Sequence, residues 1–312
     1  MKIGITGASG FLGSYTLQYL SKLSKYELRA LARTALPQEL DSLSNVQWLY
    51  GDLSSPMTCQ DFIDGLDCII HLAHTHTPLS SNRDLVSDAS LNIIPTLNLL
   101  QTIRESGKVP RFIYASSGGA IYQYNPHQRP YQESDLCIPN SSYGVQKLCA
   151  EAYLRLAADK QWLTAVSLRI SNPYGVLLPP ERLQGLIGVC LHQLRNQKPI
   201  RIYGNPDNVR DYIHLEDMCR AIEVAIQAET SFEVVNIGSG VGYSVNQVLD
   251  LLEQLIGKPL VKEYWQPPGN PQELVSWTVL DITKAKEVLD WQPHITLEQG
   301  LAKLCREELN LK

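Results

Sequence analysis

The feature that most restricts the fold is a strand-like run, Lys2-Ile3-Gly4-Ile5-Thr6, that passes straight into Gly7-Ala8-Ser9-Gly10-Phe11-Leu12-Gly13 and then into a helical pattern from Ser14 to Leu23. Glycines at this spacing, between a strand and a helix, have separate physical jobs. Gly7 makes the tight turn, Gly10 lets backbone approach a pyrophosphate, and Gly13 lets the helix pack closely on the strand. The helix N-terminus offers free N–H groups and a positive dipole end to phosphates, and Phe11 and Leu12, between the glycines, join them as cofactor-binding candidates. Glycine turns are common, so the trio alone is weak evidence. Strand, helix and position taken together point to a bound nicotinamide dinucleotide, NAD or NADP.

The rest of the chain agrees with such a fold. Apolar bursts at 3–6, 27–32, 46–50, 68–72, 111–115 and 164–169 alternate with longer amphipathic stretches. Short buried strands separated by helices imply right-handed βαβ units, and so an α/β, Rossmann-type doubly wound parallel sheet. After Pro173 the sequence is richer in turn formers, as in Leu178-Pro179-Pro180, Tyr203-Gly204-Asn205-Pro206 and Gln266-Pro267-Pro268-Gly269. That composition predicts a smaller substrate-binding lobe closing over a cleft. Residues 1–172 are expected to form the NAD(P)-binding domain and 173–312 mainly the substrate lobe. The strand-and-turn Val234 to Gly240 predicts that a segment around 209–240 returns to the first domain, so that the lobes interleave.

The end of the second strand discriminates between the two dinucleotides, because a carboxylate there binds the ribose 2'-hydroxyl whereas an arginine accommodates a 2'-phosphate. This chain reads Ala32-Arg33, with no carboxylate, which tilts the expectation toward NADP; the bland reading is that Arg33 stacks on adenine or faces solvent. Gly51-Asp52-Leu53, after the third strand, suits the adenine side, Asp52 accepting from its amino group.

Further along, Ser142-Tyr143-Gly144-Val145-Gln146-Lys147 opens a helical stretch, and residues four apart share one face. Tyr143 and Lys147 can therefore act together. A phenol titrates near 10, so as a base at neutral pH it needs nearby positive charge, which Lys147 and an oxidised nicotinamide would supply.

With these residues in view, the chain resembles the extended short-chain dehydrogenase/reductases, and within them the NAD-dependent epimerase/dehydratase group typified by UDP-glucose 4-epimerase. The resemblance rests on the loop Thr6 to Gly13, His71-Leu72-Ala73, Asn92, Ser116-Ser117 with Ile121-Tyr122, Tyr143 with Lys147, Arg169 to Gly175, and Arg210-Asp211-Tyr212-Ile213-His214. It implies that Tyr143 is the catalytic acid/base, that Lys147 grips the nicotinamide ribose, and that Leu72, Ala73 and Asn92 contact cofactor. Asn172 and Arg210 would hold the diphosphate of a nucleotide-sugar substrate. Family members often dimerise through the helix near 91–100 and the one carrying Tyr143, which implies a homodimer.

The departures from the family pattern are specific. A Ser or Thr is expected four residues before Tyr122, where this chain has Gly118; Ser117, one place earlier, is the nearest substitute, with Ser116 or a bound water as the alternatives. Tyr122 is followed by Gln123 where the family has glycine. The family's diphosphate-binding arginine falls on Pro271 and its aspartate near Leu274, which shifts anchoring onto Arg210. The Asp-Glu pair of the 4,6-dehydratases is replaced by Gly119-Ala120, which disfavours that reaction. C4 epimerisation of a UDP-sugar through a transient 4-keto intermediate is the leading expectation; an NADP-dependent reductase or dehydrogenase of nucleotide sugars is the alternative, and a non-catalytic NAD(P) sensor a third.

Other signals carry less. His71, His74 and His76 form an HxxHxH cluster, but no distant carboxylate or cysteine pairs with it, so packed histidines outweigh a metal, and His74 or His76 bordering the substrate cleft is the better functional reading. Leu91, Ile94, Leu97 and Leu100 make a stripe at helical spacing that reads as core. A net charge of -5 argues against a nucleic-acid partner. No apolar run is long enough to span a bilayer. The seven cysteines show no CxxC pair and read as reduced thiols, and the absence of a leader-like start makes the cytoplasm the expected compartment.

Overall fold

The structure, a computed structural model, describes residues 1–34, 40, 43–78, 80–180, 185–265 and 276–309. The Gln266 to Gly269 turn, Pro271 and Leu274 lie outside the described residues. The main sheet has seven strands, all in parallel pairings: β1 (Lys2–Thr6), β2 (Glu27–Ala32), β3 (Val46–Tyr50), β4 (Cys68–His71), β5 (Arg111–Ser117), β6 (Thr164–Ile170) and β10 (Phe232–Ile237). Their spatial order is β10-β6-β5-β4-β1-β2-β3. β4 is buried at every position and β5 at all but its last, as strands covered by helices on both faces must be. β3, at the edge, is only half-buried.

One face of the sheet carries the helices Phe11–Ser21 and Leu215–Gln227, which pack with Ile5, Ile70 and Ile237. The opposite face carries Pro56–Ile63, Leu85–Ser106 and Ser142–Asp159, packed on Ile69, Phe112 and Ala165. Strand order reverses between β1 and β4. In such sheets the crevice beyond the carboxyl ends at this switch point is where ligands bind.

The remaining strands are β7 (Asn172–Tyr174), β8 (Ile200–Tyr203), β9 (Val209–His214), β11 (Gly242–Ser244), β12 (Lys262–Trp265) and β13 (Trp277–Thr278). β9 pairs with β7, β11 and β13, and β8 with β12. With the helices Leu186–Arg195, Val245–Ile256 and Leu297–Leu309 they enclose a third core around Leu249, Leu301 and Ile202. The chain crosses back after β9, because the helix Leu215–Gln227 and β10 belong to the large sheet.

One expectation needs correcting. The stripe Leu91, Ile94, Leu97, Leu100 is not core as a whole: Leu91 and Ile94 are 44% and 48% exposed, while Leu100 is buried. The helix Leu85–Ser106 turns a different row inward, Asp88, Asn92, Thr96, Leu99 and Ile103. Three of those residues are polar, and their burial is met by hydrogen bonds rather than apolar contact.

Candidate functional site

The glycine loop after β1 is a cradle. Gly7 has φ of 68°, and a Cβ there would lie 2.7 Å from the Ala73 backbone nitrogen. A Cβ on Gly13 would lie 2.0 Å from the Gly7 carbonyl oxygen, so helix and turn touch only because both residues lack side chains. Gly10 is the helix N-cap and supplies no side-chain cap, which leaves the first-turn N–H groups at Phe11 and Leu12 without a capping side chain. These residues fit the pyrophosphate of a dinucleotide. Leu72 and Ala73 close the cradle from β4, their N–H groups donating to the Thr6 carbonyl (3.3 Å) and Thr6 Oγ1 (3.3 Å).

At the end of β2, Arg33 is exposed and Ala32 is buried. Asp52 lies close by: a hydrogen bond from the Ser54 N–H (2.8 Å) holds its carboxyl below the usual range, and the Arg33 charge adds to the effect. Leu53, expected at the cofactor, turns inward instead, 6% exposed, into the core.

Tyr143 and Lys147, one turn apart on the helix Ser142–Asp159, meet Ser117 at the end of β5. Ser117 lies near enough to the Tyr143 phenol to draw its pKa downward. Lys147 is buried; its Nζ donates to the Ala115 carbonyl (2.7 Å) and stands 5.5 Å from the Tyr143 ring centre. Burial pushes the lysine down to about 7. It also pushes the Tyr143 phenol above its ordinary range, against a downward pull from the Ser117 side chain. The expected lowering of the phenol is therefore not what the structure gives here, because a buried phenolate loses its hydration and that loss dominates.

The missing hydroxyl at position 118 has a packing reason. A Cβ on Gly118 would fall 2.5 Å from Leu280 Cδ1 and 3.1 Å from the Arg169 carbonyl oxygen. Leu280, buried and coming from the far end of the chain, takes that space.

Two buried carboxylates that the sequence does not single out hold the helix of Tyr143 in place. Asp88 accepts from His76 Nδ1 (2.7 Å), Asn92 Nδ2 (2.8 Å), Ser142 Oγ (2.6 Å) and Gln146 Nε2. Asn92, expected at the cofactor, spends its Oδ1 on the Thr75 N–H (2.6 Å) and so pins the loop after β4. Glu151 pairs with Arg169 (2.7 Å), and Ser116 Oγ (2.5 Å) donates to the same carboxylate. The spacing of Glu151, four after Lys147, is the one signal that could have found it.

The three clustered histidines point to different partners. His71 lies between Thr6 Oγ1 (2.8 Å) and Thr96 Oγ1 (3.0 Å), with burial lowering it to about 3, and His76 is held by Asp88. His74 packs edge-on to Tyr143.

On the small-sheet side, Asn172 Nδ2 donates to the Asp211 carbonyl (2.8 Å). Arg210 donates to the carbonyls of Val209 (2.8 Å) and Ser276 (3.1 Å), and burial lowers its pKa. Asp211 is buried and receives the N–H groups of Ser239 (2.7 Å), Gly240 (3.1 Å) and Leu280 (3.2 Å), which fixes the turn after β10.

Fold and site together define a dinucleotide-binding enzyme of the extended short-chain dehydrogenase/reductase class. Residues 3–238 match the model of the NAD dependent epimerase/dehydratase family, and the chain belongs to that family. It is similar in structure to a Thermotoga maritima UDP-glucose 4-epimerase with UDP-glucose, at 30% identity, 99% coverage of both chains and a TM-score of 0.89. A Thermus thermophilus UDP-glucose 4-epimerase in complex with NAD matches at 26% identity, 100% coverage of both and a TM-score of 0.87. Among curated relatives, a dTDP-4-dehydro-6-deoxyglucose reductase from Escherichia coli is 29% identical over 97% of this chain and 96% of the relative.

Proposed function

We propose that this chain is a nucleotide-sugar epimerase that inverts C4 of a UDP-sugar through a transient 4-keto sugar. The observation that carries the reading is the gathering of Ser117, Tyr143 and Lys147 beside the glycine cradle, at the point where strand order reverses. Gly7, Gly10, Phe11, Leu12 and Gly13 would hold the pyrophosphate of NAD, Asp52 the adenine side and Lys147 the nicotinamide ribose. NAD supplies, when bound, reversible hydride acceptance at C4. Tyr143 takes the proton of the 4-hydroxyl as C4 becomes a carbonyl and returns it on the way back, with Ser117 holding the same oxygen. Asn172 and Arg210 would keep the diphosphate fixed while the sugar turns to present its other face. The 1–172 segment serves the cofactor and 173–312 mainly the substrate.

One second reading has its own support: Arg33 in place of a carboxylate, with the likeness to a reductase, favours an NADP-dependent keto-sugar reductase. Incubation with UDP-glucose, UDP-galactose and their N-acetyl forms, without added cofactor, separates the two. Interconversion with no change at the NAD(P)H band is the expected result; turnover of a keto-sugar only with stoichiometric NADPH consumption overturns it. In the same assay Tyr143→Phe is expected to lose about 100- to 10,000-fold in turnover while still binding NAD, the usual worth of acid–base catalysis.

We also infer a homodimer built on the helices Leu85–Ser106 and Ser142–Asp159, and a cytoplasmic setting. Seven free cysteines, most of them buried, support the latter. Among the described residues no helix is long and apolar enough to cross a membrane.

A further inference from the structure

His74 has no role in the chemistry described so far, yet it stands at the reacting end of the site. It belongs to the irregular stretch 72–77 that leaves β4, and its imidazole meets the Tyr143 ring at 4.7 Å between centroids and 88° between planes. Its Nε2 is sealed from solvent and, among the described residues, has no hydrogen-bond partner. His71 and His76, on either side, are both engaged by hydroxyl or carboxylate groups. A buried polar atom left unpaired forfeits its hydration with nothing in return, so such atoms in native proteins call for a partner. Ring packing against Tyr143 explains a flat side chain at this position but not a nitrogen.

The charge state narrows what that partner is. Burial, followed by the nearby Lys147, holds His74 well below the ordinary histidine range, so the imidazole is neutral. A neutral Nε2 donates or accepts according to tautomer, and a sugar hydroxyl satisfies either. Tyr143 has to reach the reacting hydroxyl, and His74 is the ring packed against it.

Resting on the nucleotide-sugar reading, we propose that His74 is a specificity-determining residue whose Nε2 hydrogen-bonds a sugar hydroxyl adjacent to the one Tyr143 handles. The backbone on either side of the ring is held, Ala73 N–H by Thr6 Oγ1 and Thr75 N–H by Asn92 Oδ1, so the ring is presented from a fixed loop.

The test is calorimetric and does not depend on turnover. NAD-loaded wild type, His74→Phe and His74→Asn are titrated with UDP-glucose, dTDP-glucose and the bare diphosphates UDP and dTDP; each protein is also titrated with NAD. In wild type the sugar should add affinity over the bare diphosphate. His74→Phe keeps a flat ring on Tyr143 and should lose about tenfold of that gain, the worth of one hydrogen bond, with UDP and NAD binding unchanged. His74→Asn should recover part of it. If His74→Phe does not fold, His74→Leu gives the same comparison. A His74→Phe enzyme that binds UDP-glucose like wild type overturns the proposal, and so does a loss that falls on NAD. Wild type that binds neither nucleotide sugar overturns the nucleotide-sugar reading, and His74 with it.

Discussion

Position 118 and Leu280 compete for one volume, and that competition is measurable. Gly118→Ser should cost roughly 1–3 kcal/mol, because overpacking a filled site forces side chains off their rotamers. Combined with Leu280→Ala, the double variant should lose less than the two single losses together, since the new side chain enters the vacated space. Strictly additive urea midpoints would show that the two do not meet. Lys147 offers a second residue-level prediction. Its pKa is about 7 when folded against an ordinary 10.5, so between those limits the unfolded chain binds a proton that the folded chain does not. Stability must then rise with pH across that window and fall again as pH drops toward 7. Urea unfolding at intervals from pH 7 to 9 should show a flatter rise for Lys147→Met than for wild type; parallel curves would mean that the amine titrates normally. At this scale Tyr143, Lys147 and the glycines are legible in the sequence, because their geometry is local: one helical turn, or one strand-to-helix corner. Asp88 is illegible because its partners Ser142 and Gln146 come from another helix, and Gly118 can be seen to depart from a pattern without showing that Leu280 fills the gap.

The helix Ser142–Asp159 is the element on which the site depends, and it is anchored at two points along its buried face. Asp88 ties its first turn, through Ser142 and Gln146, to the helix Leu85–Ser106. Glu151 ties its middle to β6 through Arg169, with both side chains almost wholly buried, at 5% and 6% exposure. Removing one partner of such a pair strands the other charge, so Glu151→Ala should cost about 3–5 kcal/mol. The loss should show in urea unfolding, and a change under about 1 kcal/mol, the range of an exposed pair, would mean that solvent reaches Arg169. Strands are the elements that the sequence states most faithfully: 27–32 and 46–50 agree with β2 and β3, and 164–169 ends one residue before β6 does. Their apolar runs are short and bounded by turn residues, and those of β2 and β6 are mostly buried, which leaves one interpretation. The helix Leu85–Ser106 defeats the same logic, since its inward row carries Asp88, Asn92 and Thr96 while Leu91 and Ile94 stay outside. A hydrophobic stripe identifies a face that avoids water, and the face can be covered by a second molecule as well as by a core.

That ambiguity sets the prediction for the molecule as a whole. The helices Leu85–Ser106 and Ser142–Asp159 pack on each other and leave Leu85, Val86, Leu91, Ile94, Val145, Tyr153 and Leu156 between 41% and 77% exposed. Exposed apolar residues scattered singly need no explanation, but a set this size on two neighbouring helices is the kind of surface that marks an interface. A two-fold dimer would bring the same patch of each copy together, helix pair on helix pair. The Tyr143 helix then has its inward face on the sheet and its outward face on the second copy, which would stiffen the element that carries Tyr143 and Lys147. Light scattering after size-exclusion chromatography should give twice the 34.9 kDa chain mass. Ile94→Glu together with Val145→Glu places like charges in the proposed seam and should yield monomers that still bind NAD, since neither residue lines the glycine cradle. A monomeric wild type, or a double variant that stays dimeric, would show that the exposed apolar residues of these helices face water and that the site is held by Asp88 and Glu151 alone.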